Sequence, residues 1–340
     1  MTSSIRRGQR RAVSLEGDFV NTGFLPDREG LFPAVITPAR PDVELAGWGE
    51  AHRAEAEALL LQYGAVLFRG FGLDSPDAFS STAASFVDAL FGDYGDLPRE
   101  ADGEKVFSST PYPADLSIHF HNESSHMAQW PMRIFFNCQI AAETGGETPL
   151  IDCRKILTQL DPQVVADFES KGLIYVRNFA KGIDVPWQDF FGTDDRAEVE
   201  RQCAAAGSTC EWLPDDVLRI GQAAAAVRTH PVTGDKTFFN QVLLHHPAAL
   251  PADTRAALNE LYDEMSFPRN VLYGDGSTIP DSVIEHLLEK YAEVQVAFPW
   301  EEGDMIMLDN MLVSHSRAPF TGARKIIVAM AHIQHAEEAA

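Results

Sequence analysis

The chain has 340 residues, of which 23% are charged and 45% belong to the hydrophobic set, and this composition is ordinary for a globular protein with a sizeable core. Its formal net charge of −23 argues against general binding to nucleic acid and against adhesion to an anionic membrane surface. No uncharged apolar run reaches the roughly 18 residues that a membrane-spanning helix needs. The four cysteines show neither CxxC spacing nor the density of a disulfide framework, so we expect reduced thiols and a cytoplasmic protein.

Four arginines lie within the first twelve residues, and no apolar stretch follows them. A secretory signal is therefore not expected. The start could mimic a transit peptide, but the missing amphipathic pattern favours a short, flexible basic tail over residues 1–12. No internal repeat, low-complexity block or linker divides residues 13–336, for which we predict a single domain.

Helical patterns come first along the chain. Apolar residues recur at helical spacing over residues 43–63, and Gly64 is a stop signal. The apolar run 65–68 indicates a buried strand. Ser75 as N-cap and Pro76 at the first helical position predict a second helix that ends near residue 91.

Short strands dominate the remainder. The pattern predicts strands at 117–121, 133–140, 173–179, 226–229, 236–240, 304–309 and 325–332, and a helix over 281–291. Because short strands spread over the whole chain, we predict a mainly β fold of the α+β class, with helices packed outside an antiparallel core. A sandwich or a double-stranded β-helix (jelly roll) fits this pattern.

The segment 178–214 is polar, aromatic and irregular in sequence. Long loops on β scaffolds are often lids over a site, so a lid is one interpretation. A surface excursion with a small satellite core is the other.

The most informative motif is His121-Asn122-Glu123, together with a lone His315 near the far end of the chain. Two ligands two residues apart on a strand point to the same face, and a third from a distant strand can complete one face of an octahedron. Two imidazoles and one carboxylate with open positions suit non-haem Fe(II) and oxygen chemistry. A three-histidine zinc or cupin-like set of His119, His121 and His126 is the alternative.

The segment around this motif resembles the metal-site region of the taurine/2,4-D dioxygenase superfamily of Fe(II)/2-oxoglutarate enzymes; it reads HNESSHMAQWPMRIFFNCQIAAETGGETPLID (residues 121–152). The closest similarity is to the branch of syringomycin-biosynthesis-type hydroxylases and their clavaminate-synthase-like relatives. Two further stretches agree in the same order, RTHPVTGDKTFFNQ (residues 228–241) and residues 270–330. The resemblance covers most of the chain from about residue 118 onward. It implies a clavaminate-synthase-like jelly roll that uses Fe(II), 2-oxoglutarate and O2.

The resemblance also implies roles for individual residues. His121, Glu123 and His315 match the iron ligands. The carboxylate of Glu123 argues against a halogenating enzyme, since a small residue replaces it in the halogenating relatives.

Thr148 and Arg324 match the residues that hold the distal carboxylate of 2-oxoglutarate, for which Arg offers a bidentate fork. Lys325 takes this role if the alignment shifts by one residue. Val328 occupies the position where taurine-type members carry a second Arg for the sulfonate, so a sulfonate substrate held in that way is not expected.

Three further residues are candidates for contact with substrate or for support of the metal site. Arg317 follows His315 by two residues, and it could contact substrate or 2-oxoglutarate or form an ion pair. Asn310, with its neighbour Asp309, is expected in a turn that orients His315. Asn240 is a candidate of the same kind. Gly145-Gly146 predicts a tight turn with positive φ.

The resemblance therefore implies an oxygenase that hydroxylates an unactivated C–H bond and releases succinate and CO2. The branch points to a small amino-acid-like substrate, either free or tethered to a carrier protein, in specialised-metabolite biosynthesis. The strongly acidic chain slightly favours a free substrate, because carrier proteins are acidic too. Desaturation or epoxidation, a non-redox cupin-like metal protein and a catalytically silent relative are the alternatives. The sequence does not indicate the oligomeric state.

Overall fold

The structure, a computed structural model, describes residues 19–26, 32–91, 101–103, 105–108, 112–179 and 185–336. The predicted basic tail at residues 1–12 lies outside these ranges. The described strands are β1 Val20–Phe24, β2 Ala34–Pro38, β3 Ala65–Phe68, β4 Ala101–Gly103, β5 Val106–Ser108, β6 Ile118–His121, β7 Gln129–Ile140, β8 Thr144–Gly145, β9 Leu150–Asp152, β10 Leu173–Phe179, β11 Ser208–Trp212, β12 Leu218–Ala224, β13 Val227–Thr229, β14 Lys236–Phe238, β15 Arg269–Tyr273, β16 Met305–Asp309, β17 Val313–Arg317, β18 Phe320–Thr321 and β19 Lys325–His335. The described α-helices are α1 Leu45–Ala51, α2 Arg53–Tyr63, α3 Pro76–Ser85, α4 Cys153–Gln159, α5 Pro162–Lys171, α6 Trp187–Phe191, α7 Arg196–Ala205, α8 Val242–His245, α9 Ala252–Leu261 and α10 Asp281–Val294.

The largest sheet has eight strands in the order β1-β2-β3-β16-β7-β19-β5-β4. Only the β2/β3 pair among these strands is parallel. Alternate residues of its central strands face opposite sides: Val66 and Phe68 pack under the helices, whereas Ala65 and Leu67 face the interior. Burial on both faces explains why these strands appear in the sequence as continuous apolar runs.

A second, three-stranded sheet of order β6-β17-β9 lies across the interior from the large sheet. The interior core joins Leu150 of β9 and Val313 of β17 to Leu67, Ile306 and Val328 of the large sheet. A mainly antiparallel large sheet and a smaller antiparallel sheet enclose one core, as in a double-stranded β-helix, so the predicted jelly roll is confirmed. The pairing of β6 with β17 sets His121 directly opposite His315.

A four-stranded sheet of order β11-β12-β10-β15 packs beside the jelly roll. Its core includes Phe168, Tyr175, Val271 and Leu287, and it reaches the jelly roll through Ile151 of β9. Among the described helices, none is both long enough and apolar enough to cross a membrane.

The first predicted helix, over residues 43–63, is two helices in the structure. His52 leaves the helical region with φ −123° and ψ 26° and separates α1 from α2. Its ring stacks on Trp48 with ring centroids 5.1 Å apart. The apolar spacing continues across this break, and so the sequence pattern alone predicts one helix.

The second helix begins as predicted, because the Ser75 hydroxyl accepts a hydrogen bond from the Ala78 N–H at 3.3 Å. It ends at Ser85 and not near residue 91. The apolar residues Phe86, Val87 and Leu90 continue the pattern because they pack into the same core cluster from a non-helical segment.

The segment 178–214 is not irregular in its described part. It contains α6, α7 and β11, and its satellite core includes Trp187, Val199 and Cys203. The sequence of α7 is too polar to show a clear helical pattern. Asp195 caps this helix by accepting a hydrogen bond from the Ala197 N–H at 2.9 Å. Residues 180–184 lie outside the described ranges, and the lid stays a prediction.

Candidate functional site

The side chains of His121, Glu123 and His315, which are of types that can bind metal ions, converge near the paired strands β6 and β17. The ligand atoms of His121, Glu123 and His315 all lie within 4.8 Å of one another. The two imidazole rings are 4.3 Å apart between centroids. The Nδ1 of His121 donates to the His119 carbonyl at 2.8 Å, because a carbonyl oxygen can only accept. Since Nδ1 is used in this hydrogen bond, Nε2 is the ring nitrogen with which His121 could bind a metal ion.

Glu123 lies beyond the end of β6, in a turn that continues through Ser124 at φ 56°. The prediction that His121 and Glu123 share a face by strand alternation is therefore wrong in its reason, although the two side chains do converge. The turn is held by Asn310, whose Oδ1 accepts from the Glu123 N–H at 2.8 Å while its Nδ2 donates to the Glu123 carbonyl at 2.9 Å. Asn310 is fully buried. The expectation was that it orients His315, but its side chain is bonded to the backbone of Glu123 instead.

Asn122, between the two ligands, is anchored on the opposite side. Its Nδ2 donates to the Asn310 carbonyl at 2.7 Å and to the Val313 carbonyl at 3.2 Å. Asn240 exchanges hydrogen bonds with Asn122 through the Asn240 N–H and carbonyl. Asn240 is not one of the described lining residues of the cavity, so its role is to support the turn at Asn122 and Glu123 from the side away from the cavity.

Replacement of Asn310 by Ala should weaken Fe(II) binding about 10–100-fold, the usual effect of losing a partner that orients a metal ligand. Asn178→Ala is the matched control, because Asn178 is a similarly buried amide on β10 of the four-stranded sheet and donates to the Met265 and Phe267 carbonyls, away from the metal turn. The measurement is an anaerobic Fe(II) titration of each folded variant. Wild-type affinity in Asn310→Ala would show that Asn310 does not position Glu123.

Arg324 reaches the same site from the segment before β19. Its Nε donates to the Gly146 carbonyl at 2.8 Å. Gly146 has φ 74°, and a Cβ added there would lie 3.0 Å from Cδ of Arg324, so the predicted glycine turn forms a groove for this side chain. Burial lowers the pKa of Arg324 to about 10, and the nearby charge of Arg317 adds to this effect.

The half-buried Arg324 guanidinium lines the cavity and forms none of the described ion pairs, although the charge of Glu147 acts on its pKa against the effect of burial. Thr148 lies beside it in the cavity wall and is 5% exposed. Trp300 donates its indole N–H to the Thr148 hydroxyl oxygen at 3.2 Å, which leaves the hydroxyl proton for an acceptor in the cavity. An Arg fork with a hydroxyl donor is a suitable site for a carboxylate.

The neighbouring positions agree with this alignment. Arg324 lines the cavity, and Lys325 is not among its described lining residues. Val328 packs inside the jelly-roll core and is 1% exposed. No cation therefore occupies the position where taurine-type members carry their second Arg.

One cavity of about 710 Å³ is lined by five of the predicted site residues: His121, Glu123, Thr148, His315 and Arg324. A volume in this range suits a small-molecule site. Its wall includes apolar side chains (Leu116, Ile118, Leu243, Leu244 and Leu250) and polar or charged ones (Asp115, Ser117, His126, Gln241, His245 and Arg269). The described residues of the segment 178–214 do not line it.

The three-histidine alternative does not form. His119 uses Nε2 to donate to the Ala249 carbonyl at 2.8 Å and is not a member of the metal-ligand group. His126 packs against the rings of Tyr175 and His245, at centroid distances of 5.7 and 5.6 Å. The donor set that does converge, two imidazoles and one carboxylate, fits Fe(II).

Arg317 lines the cavity as expected, but it forms none of the described ion pairs. Its guanidinium donates to backbone carbonyls of residues 112–116. Trp300 and the cavity segment 112–117 were not predicted to take part: Trp300 lies in the family-like stretch 270–330 but has no role of its own in the motifs, and residues 112–116 precede the motifs.

Comparisons with known proteins agree with this geometry. The family model for the taurine catabolism dioxygenase TauD, TfdA family, matches residues 29–330. The chain is 35% identical over 298 residues to the dapdiamide synthesis protein DdaC of Enterobacter agglomerans, covering 87% of this chain and 90% of DdaC. It is 29% identical to a clavaminate synthase-like protein of Arabidopsis thaliana, covering 88% of this chain and 93% of that protein.

Among solved structures, PvcB of Pseudomonas aeruginosa is similar in fold, with a TM-score of 0.54 at 15% identity over 98% of this chain and 97% of PvcB. PvcB is an Fe, α-ketoglutarate-dependent oxygenase from an isonitrile synthetic pathway. At this low identity, the likeness establishes the fold alone. The family match over most of the chain goes further: the chain belongs to the TauD/TfdA family, and it is an Fe(II)- and 2-oxoglutarate-dependent dioxygenase that uses O2 as cosubstrate.

Proposed function

We propose that His121, Glu123 and His315 hold Fe(II) and that Arg324 and Thr148 hold the distal carboxylate of 2-oxoglutarate in the same cavity. The observation that carries this proposal is the convergence of the three ligand atoms within 4.8 Å in a cavity that Arg324 and Thr148 also line. A chelating dicarboxylate needs a cation for its far end, and the Arg324 guanidinium supplies one.

We propose further that the enzyme hydroxylates an unactivated C–H bond of an amino acid or an amino-acid-derived small molecule in specialised-metabolite biosynthesis. Fe(II), 2-oxoglutarate and O2 supply the oxidising power when bound, with release of succinate and CO2. The chain's own residues bind and orient the reactants. The turn held by Asn310 fixes the carboxylate ligand, and Leu243, Leu244 and Leu250 exclude water from part of the cavity.

The cavity wall supports a substrate with both apolar and charged parts. The lining combines apolar side chains with Asp115, whose carboxylate offers a negative charge to the ammonium group of an amino-acid-like molecule. The buried Val328 gives no support to a sulfonate substrate held from that position. DdaC is a synthesis protein and PvcB belongs to a synthetic pathway, in keeping with a biosynthetic role.

The net charge of −23 favours a free substrate slightly over one tethered to an acidic carrier protein. Desaturation or epoxidation with the same cofactors is the alternative outcome, because the result depends on the placement of the substrate carbon. A cupin-like metal protein does not bind 2-oxoglutarate, and this alternative therefore gives no role to Arg324 or to the Trp300 indole that donates to Thr148.

A screen of free amino acids and their acylated derivatives tests this proposal. We expect one of them to stimulate succinate formation strongly above the substrate-free rate and to gain one oxygen atom by mass spectrometry. Glu123→Ala is the control without turnover. A product that loses two hydrogens would select desaturation, and stimulation only by carrier-tethered substrates would select the tethered alternative. No stimulation by any free or tethered amino-acid derivative would contradict the substrate class.

A further inference from the structure

Arg317 lies on the metal strand β17, two residues after His315, and only 8% of it is exposed. It lines the cavity, yet its contacts are made with the backbone of the rim segment, which we define as residues 112–117. One terminal nitrogen donates to the Tyr112 carbonyl at 3.0 Å, and the other donates to the carbonyls of Pro113 at 2.6 Å and Leu116 at 2.5 Å.

Three carbonyls on one guanidinium form an unusual arrangement for a buried cation. Burial lowers the pKa of Arg317, so the charge is maintained at a cost that neutral acceptors must offset. The planar fork of Arg can serve several acceptors in fixed directions, which the single ammonium of Lys cannot do. The geometry therefore uses the shape of the guanidinium as well as its charge.

Few other hydrogen bonds of the rim segment are found among the described residues, which do not include its neighbours 109–111. Tyr112 is 44% exposed, and most of its neighbours in the segment are exposed as well. The Phe320 N–H donates to the Ala114 carbonyl at 2.9 Å, and the Leu116 N–H closes a turn onto the Pro113 carbonyl at 3.2 Å. Arg317 thus accounts for most of the hydrogen bonds described between this segment and the strands of the jelly roll.

The rim segment forms part of the cavity wall through Tyr112, Asp115, Leu116 and Ser117. Its register relative to the metal determines which side chains face a substrate. We propose that Arg317 is a positioning residue that fastens the rim segment to the metal strand, and that the rim segment thereby determines substrate selectivity. This inference rests on the proposed function, because it takes the cavity as the substrate site.

Arg317 also lies near Arg324, and both guanidinium groups lie over the Phe320 ring, at 5.3 and 5.5 Å from its centroid. The competing explanation is that the charge of Arg317 attracts the dicarboxylate cosubstrate. The two roles differ in what lysine can replace. Lysine keeps the charge but not the three-carbonyl fork, whereas methionine removes both.

The test compares Arg317→Lys and Arg317→Met with wild type by hydrogen–deuterium exchange of the full chain, with and without Fe(II) and 2-oxoglutarate under anaerobic conditions. We expect amide exchange of Leu116, whose N–H is hydrogen-bonded within the rim segment, to accelerate about tenfold or more in both variants, because each frees the segment to open locally. Affinity for 2-oxoglutarate should stay within about threefold of wild type in Arg317→Lys. This readout needs no substrate, so it remains decisive even if the substrate class is wrong.

His119→Phe is the matched control, because it releases a different segment of the cavity wall. His119 also lies two residues from an iron ligand and tethers a cavity segment, through the Ala249 carbonyl. We expect it to accelerate exchange around residues 248–251 and to leave the rim segment unchanged.

Selectivity is then tested by comparing kcat/KM for the amino acid that best supports turnover with kcat/KM for a second, poorer substrate. Arg317→Lys should change this ratio about tenfold, with a smaller change in the KM for 2-oxoglutarate. Rim exchange that is unchanged in both variants would overturn the inference. It would also be overturned if lysine restored wild-type exchange while methionine lost 2-oxoglutarate affinity, since charge alone would then be the function of Arg317.

Discussion

Substitution of Arg324 by Met is expected to weaken 2-oxoglutarate binding about a hundredfold. The guanidinium lines the cavity beside Thr148, and its Nε is committed to the Gly146 carbonyl. Its remaining N–H groups would make charge-assisted hydrogen bonds to the distal carboxylate, each worth about 1.5–3 kcal/mol. A loss of about 3 kcal/mol corresponds to roughly a hundredfold change in affinity. The dissociation constant is measured by anaerobic titration of the Fe(II)-loaded protein.

Lys325→Met is the matched control, because it removes a cation one residue away that is not among the described lining residues of the cavity. It should leave the affinity for 2-oxoglutarate within about twofold of wild type. If Lys325→Met lost affinity and Arg324→Met kept it, the cosubstrate site would have to move by one residue along the chain.

The largest effect on stability is expected from Asp309→Ala. Asp309 is fully buried and accepts hydrogen bonds from Arg133 at 2.5 Å, from His230 at 3.1 Å and from the backbone N–H groups of Met311 and Leu312. The variant leaves the buried Arg133 charge without this partner, which should reduce the free energy of unfolding by about 3–5 kcal/mol. Because Asn310 follows in the same turn, the loss would also loosen the metal site.

Glu57→Gln serves as the control, since Glu57 pairs with the same Arg133 but its side chain is 40% exposed. A change below about 1 kcal/mol is expected there, as for other solvent-exposed pairs. Chemical denaturation at neutral pH measures both variants. Equal losses in the two would mean that burial of the pair does not determine its contribution.

The pH dependence of stability provides an independent check on Asp309. Burial alone would raise the pKa of its carboxyl, but the Arg133 charge and the His230 hydrogen bond outweigh burial and lower it. A carboxyl with a lowered pKa stabilises the fold above its unfolded value of about 3.9, and this contribution is lost as the pH falls. The stability difference between wild type and Asp309→Asn should therefore shrink below about pH 4. A difference that is constant with pH would contradict the lowered pKa.

The sequence is sufficient to predict those parts of the fold that depend on local periodicity. Strand β10 occupies residues 173–179 as expected, and the glycine turn at residues 145–146 has the predicted positive φ. The helix break at His52 could not be predicted, because its neighbours on both sides keep helical spacing. The helix α7 was missed for a different reason: a short polar helix in a satellite core shows only two buried residues.

In the site too, some features could be predicted from sequence motifs and others depend on tertiary packing. The three ligand side chains and the pair Arg324 and Thr148 converge as the motifs predict. The contacts of Arg317 could not be foreseen, because its acceptors are backbone carbonyls that any sequence carries. The support of Thr148 by Trp300, 152 residues apart, likewise depends on tertiary packing alone.

The most direct test of the central claim is anaerobic. Fe(II) and then 2-oxoglutarate are added to metal-free protein, and the visible metal-to-ligand charge-transfer band is recorded. We expect the band in wild type and its loss in both His121→Ala and Glu123→Ala. Absence of the band in wild type that nevertheless binds Zn(II) tightly would contradict the assignment of His121, Glu123 and His315 as an iron site for 2-oxoglutarate chemistry.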